Sequence, residues 1–141
     1  MRTHVIVCLL ATLLSWPAGH TLAHESDLEG GIVRTLLTSE ELGNIPSHRL
    51  TAARVVLQPG ASAGAHRHEA FVFVVMLRGR VQSQLDSGEV IEYGPGDTWS
   101  EPPGALHSLT RNPSAIEDAE FIAVFVAKEG AKLTTSGQWS E

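Results

Sequence analysis

Four residues carry the chemistry this chain could do. His66 and His68 stand one residue apart in "PGASAGAHRHEAFVFVVMLRGR", Pro59 to Arg80, at the head of an apolar run; His107 follows the turn "EPPG", and Glu101 opens that turn. Side chains alternate along an extended segment, so His66 and His68 point to one side and can reach one ion from adjacent positions on that face. Neutral imidazole is the commonest protein ligand for a transition metal. A third ring, delivered rigidly by the Pro102-Pro103-Gly104 corner onto a neighbouring strand, supplies the remaining donor of a facial site. Taken alone, His-x-His is better read as two partly exposed histidines at a strand start; His107 is what favours metal. Glu101 sits in the otherwise uncharged "TWSEPPGAL" and is a candidate ligand or general base, although a surface glutamate at a turn reads the same way.

The elements around these residues are short strands. "GIVRTLLTS", "HRLTAARVVLQPG", "VQSQL", "EVIEYGPGD" and "AEFIAVFVAK" alternate or are rich in β-branched and aromatic residues, and Gly, Pro, Asn and Asp punctuate them about every ten residues. Asp86 to Gly88 is a hairpin turn signal. "TWSEPPGALHSLTRN" reads as a strand pair about its Pro-Pro-Gly turn. No long segment of helical period competes, so the fold class is all-β, a sandwich or barrel. From His66 to Leu77 the segment reads as one core strand with both faces buried: Ala70, Val72, Val74 and Met76 continue the histidine side, and Phe71, Phe73, Val75 and Leu77 the other. Phe71, Phe73, Met76 and Phe125 are expected in the core. Val72, Val74, Met76 and Trp99 are expected around an apolar cavity next to the histidines.

At this point the sequence resembles the cupin family. Gly60, His66, His68 and Gly79 fit the first cupin signature, G-x5-H-x-H-x3,4-E-x6-G. Gly96, Pro102, Gly104 and His107 fit the second, G-x5-P-x-G-x2-H-x3-N, with Asn112 one residue late. The resemblance covers residues 33–128 and implies a small jelly-roll β-barrel with a metal near its open end. The glutamate of the first signature falls on Val72 or Phe73, so the carboxylate is missing from that strand. Three readings follow: three histidines plus water; a replacement carboxylate, with Glu101 preferred to Glu69, which should face away; or a cupin without metal. The first two accommodate one divalent transition metal, Fe, Mn, Ni, Cu or Zn. The family includes dioxygenases similar to quercetin dioxygenase, isomerases and decarboxylases. The resemblance therefore implies an enzyme, or else a non-catalytic cupin that binds or senses a metal or small ligand; the expected lining of Val72, Val74, Met76 and Trp99 fits a small, largely apolar molecule, and Glu101 is the candidate general base. The family's habit of pairing through outer sheets implies a homodimer. Arg111, near His107, is a weaker candidate for holding an anionic substrate.

Composition narrows the rest. The 141-residue chain carries a net charge of −6 and no basic run, which argues against nucleic acid and anionic membranes as partners. Arg2, the apolar run "VIVCLLATLLSW" and the small residues before His24 read as a signal peptide, residues 1–23, too short to span a bilayer. The expected organisation is that peptide, a flexible arm at 24–32, a cupin domain at 33–128 and a polar tail at 129–141, in a periplasmic or secreted protein free of the membrane once cleaved. Cys8, the one cysteine, lies in the signal segment. The mature chain then has no disulfide, thiolate site or thiol nucleophile.

Overall fold

The computed structural model describes residues 26–136; the signal segment, Cys8, His24 and Trp139 lie outside them. Its strands, in chain order, are β1 (Ser26–Glu29), β2 (Ile32–Glu41), β3 (His48–Leu57), β4 (Ser62–Ala63), β5 (His66–Arg67), β6 (Phe71–Arg78), β7 (Val81–Leu85), β8 (Ile91–Tyr93), β9 (Thr98–Glu101), β10 (Leu106–Arg111), β11 (Ala119–Lys128) and β12 (Thr135–Ser136). One sheet has the order β1-β2-β3-β11-β6-β9. The other has the order β12-β5-β10-β7-β8, with β4 also on β10. Every pairing is antiparallel. This is the all-β jelly roll expected from the sequence.

Alternation builds the core. Val72, Val74 and Met76 of β6 stand in register with Phe125, Ala123 and Phe121 of β11, and all of them join one apolar cluster with Ile32, Leu57, Val81 and Trp99. Each large side chain fully buried there contributes roughly 1.5–3 kcal/mol. Gly79 ends β6 with φ 70°, and a Cβ on it would come within 2.8 Å of Ala119 Cα. Here the signature glycine is required both by its left-handed conformation and by close backbone approach.

Four expectations are corrected. The segment from His66 is two strands in different sheets, because the chain crosses over at His68–Ala70, where His68 O accepts from Gly104 N at 2.8 Å and Glu69 N donates to Lys132 O at 3.2 Å. Its outer face is not buried: Phe71, Phe73 and Leu77 are 43%, 42% and 48% exposed, since nothing in the described residues covers that side of the sheet. The Pro-Pro-Gly turn does not close a strand pair. It carries the chain from β9 in one sheet to β10 in the other. The arm and tail both add strands: Ser26–Glu29 pairs with Ile32–Thr35, and Thr135–Ser136 pairs with β5.

Candidate metal centre

Register brings the histidines together. His66 and His107 are direct cross-strand partners of β5 and β10, which places their side chains on one face. Their ring centroids are 5.1 Å apart, and those of His66 and His68 are 4.9 Å apart. One nitrogen from each of the three rings lies within 4.8 Å of the others. Ligands 2.0–2.2 Å from one ion are separated by at most about 4.4 Å, so small side-chain rotations close the set. His68 and His107 are buried and His66 is half-buried.

Glu101 joins them from the opposite sheet. It pairs across the strands with Val72, one of the two positions where the first signature would place its carboxylate. The acid is thus present one strand over, about 4.8 Å from the expected backbone position. Glu101 is 3% exposed. Oε1 accepts from Trp99 Nε1 at 3.0 Å and lies 3.1 Å from His107 Nδ1. Oε2 lies 3.4 Å from His68 Nε2 and has no hydrogen-bond partner.

Backbone groups fix the rings. A carbonyl can only accept, so His66 Nδ1 donates to Gly64 O at 2.7 Å and His68 Nδ1 donates to Leu133 O. Both Nε2 lone pairs are thereby left for a ligand role. His107 Nε2 meets the hydroxyls of Ser83 at 2.7 Å and Thr110 at 2.9 Å. His107 and Thr110 share an inward position despite their three-residue spacing because β10 is bulged between His107 and Leu109.

The electrostatics match this inventory. Burial pushes the His66 imidazole down to about 4, beyond what its bond to Gly64 and the nearby Glu101 restore, and the charges of His107 and His68 push the same way. Burial likewise lowers His68, against its bond to Leu133. For Glu101, burial acts upward, but the hydrogen bond and charge of His107, the Trp99 N–H and His68 together hold the carboxyl below its ordinary value. Near pH 7 the site offers neutral rings at His66 and His68 and an ionised carboxylate, which is the protonation state metal binding needs. The donor set and the bare Glu101 Oε2 fit a divalent transition ion.

The site opens into a cavity of about 800 Å³. Val72, Val74 and Trp99 line it as expected, whereas Met76 packs in the core and is not among the lining residues. Arg111 lies elsewhere, with its guanidinium donating to Gln82 Oε1 at 2.7 Å. Glu69 faces away, its Oε2 accepting from Lys132 N at 3.1 Å. Asn112, the late signature residue, is structural: 1% exposed, it donates to Leu57 O, Gln58 O and Glu117 O. Sequence reasoning missed Ser83, Thr110 and the tail residues Leu133 and Thr134. Ser83 left a signal as a polar residue on the inward side of "VQSQL"; the tail left none.

The sequence matches the family model for the Cupin domain over residues 53–125. The chain belongs to the cupin family. Among solved structures, this cupin is similar to an RmlC-like cupin from Shewanella frigidimarina NCIMB 400 (TM-score 0.60, 20% identity, 82% of this chain and 95% of that one). It is also similar to a variant of Bacillus subtilis oxalate decarboxylase (TM-score 0.64, 25% identity, 82% of this chain), of which it spans 30% of the length. The DMSP lyase DddQ from Ruegeria pomeroyi DSS-3 shares the fold at TM-score 0.54 and 21% identity, over 62% of this chain and 42% of that one. No curated protein sequence matches.

Proposed function

We propose that this cupin is an exported metal-dependent enzyme, a dioxygenase or a related activity, acting on a small, largely apolar molecule. One divalent transition ion is held by His66, His68, His107 and Glu101. The observation that carries this reading is Glu101 Oε2, which is buried, has no hydrogen-bond partner and lies 3.4 Å from His68 Nε2. A buried carboxylate oxygen left bare is costly, and a cation shared with the facing ring lone pairs offsets that cost. Fe, Mn, Ni, Cu and Zn all accept such ligands, and the bound ion supplies Lewis acidity or, for a redox-active metal, electron transfer. The chain's own residues orient the ligands, while the apolar walls around Val72 and Val74 hold an apolar body and exclude water. The similarity to an oxalate decarboxylase supports an enzyme over an inert domain.

The alternative is a non-catalytic cupin that binds or senses a metal or small ligand. The absence of a carboxylate from β6 supports it somewhat, and a ligand role for Glu101 weakens that support. Oxygen uptake by the metal-loaded protein against catechols and flavonols separates the two. Uptake that vanishes in His66→Ala supports the enzyme, and ligand binding without uptake supports the module. In Glu101→Gln, lost metal assigns a ligand role, whereas retained metal with lost uptake assigns a general base. The exposed Phe71, Phe73 and Leu77 support a homodimer through the outer sheet face. The leader-like first 23 residues support a periplasmic or secreted location.

A further inference from the structure

Arg34 lines the same cavity as the three histidines, and among the described residues no other lysine or arginine does so. Its inward direction follows from register. Ile32, Arg34 and Leu36 share one face of β2, paired with Leu57, Val55 and Ala53 of β3, and Ile32, Val55 and Leu57 are core residues. A cation on a largely apolar wall is favourable only when an anion meets it. Among the residues whose side chains are described, 29–136, no carboxylate forms an ion pair with Arg34. Asp27 stands opposite Arg34 in the β1–β2 register, and Glu29, which lines the same cavity, is a competitor within the chain.

The two ends of the cavity lie apart both along and across the sheet. Arg34 belongs to the row Val55–Phe121–Met76, and Glu101 to the row Val72–Phe125. Phe121 and Phe125 are four residues apart on β11, which is about 13 Å along the strands at ~3.3 Å per residue, and β2 and β9 lie four strand spacings apart across the sheet. A planar guanidinium matches a carboxylate through two parallel hydrogen bonds, and one guanidinium balances one negative charge.

We propose that the cavity takes a monocarboxylate with an apolar body, its carboxylate on Arg34 and its far end toward His66, His68 and His107. The placement of the far end rests on the metal-site reading above; the Arg34 anchor does not.

The test uses 4-phenylbutanoate and 4-phenylbutan-1-ol, which share an apolar body, with calorimetry on the full chain both metal-free and zinc-loaded. The acid binds at least about tenfold more tightly than the alcohol in both forms. Arg34→Gln erases that preference while zinc stoichiometry and alcohol affinity stay unchanged, and Arg34→Lys keeps part of it. Asp27→Asn strengthens acid binding or leaves it unchanged. Equal affinity for acid and alcohol, binding of neither, or a preference that survives Arg34→Gln would overturn the proposal. A preference for the acid in a protein that takes up no zinc sinks the metal reading alone; zinc uptake without a preference sinks this inference alone.

Discussion

Strands β2, β3 and β11 run ten residues each in nearly unbroken register, whereas the facing sheet is made of strands two to six residues long. The long-stranded sheet supplies the apolar floor of the cavity, and its geometry follows from backbone ladders and alternation. The short-stranded sheet and the crossover beside it supply the three imidazoles. There the ladders are too short to fix a side chain, and hydrogen bonds with the Gly64 and Leu133 carbonyls and the Ser83 and Thr110 hydroxyls do it instead. Glu101, at the last position of the edge strand β9, is the long sheet's one contribution to the proposed ligand set. Stability and chemistry are therefore largely divided between the two sheets, and substitutions should separate them.

The largest effect is expected on the short-stranded side. His107→Ala should weaken metal binding at least about 100-fold, because it removes a direct donor whose outer partners alone are worth 10–100-fold. Metal content after dialysis measures it, and thermal unfolding should show a folded protein. Leu57→Ala, in the long sheet and fully buried, should do the reverse. It should lose about 2–5 kcal/mol of unfolding free energy, read by denaturant titration, while each folded chain keeps its ion. Ser83→Ala should reduce metal affinity about tenfold by freeing the His107 ring, with unfolding little changed; an unchanged affinity would mean the ring is held by packing alone.

The smallest effect belongs to the outer face of the long sheet. Arg54 Nε donates to Glu120 Oε1 at 2.7 Å, and this bond holds the Glu120 carboxyl below its ordinary value. A depressed carboxyl contributes stability that is present above the unfolded value, 4.5, and lost as pH falls through the lower folded value. Arg54 is 49% exposed, so water screens the pair and the effect is small. Thermal unfolding from pH 6 down to pH 3 should show a slightly shallower loss in Glu120→Gln than in the parent chain, with metal content unaffected.

The same division explains what the sequence made legible. Alternation in "AEFIAVFVAK" placed β11 without error, and two signature spacings singled out His66, His68 and His107, which the structure brings together, because both depend on residues close in the chain. Glu101 was visible as a lone acid beside the turn, but its place beside Val72 depends on the β6–β9 register, which local pattern does not encode. The burial expected of Phe71 and Phe73 failed because alternation identifies two faces and not what covers each one. Leu133 was out of reach for a different reason: it acts through a backbone carbonyl, which any residue carries, from 65 positions beyond His68.

The most direct test of the account is X-ray absorption on untagged full-length protein loaded with one equivalent of zinc. The account predicts one ion per chain in a shell of nitrogen and oxygen only, with the multiple-scattering signature of three imidazoles and one carboxylate oxygen. A shell with fewer than three imidazoles, or the same spectrum from a protein lacking His66, His68 and His107, would contradict it.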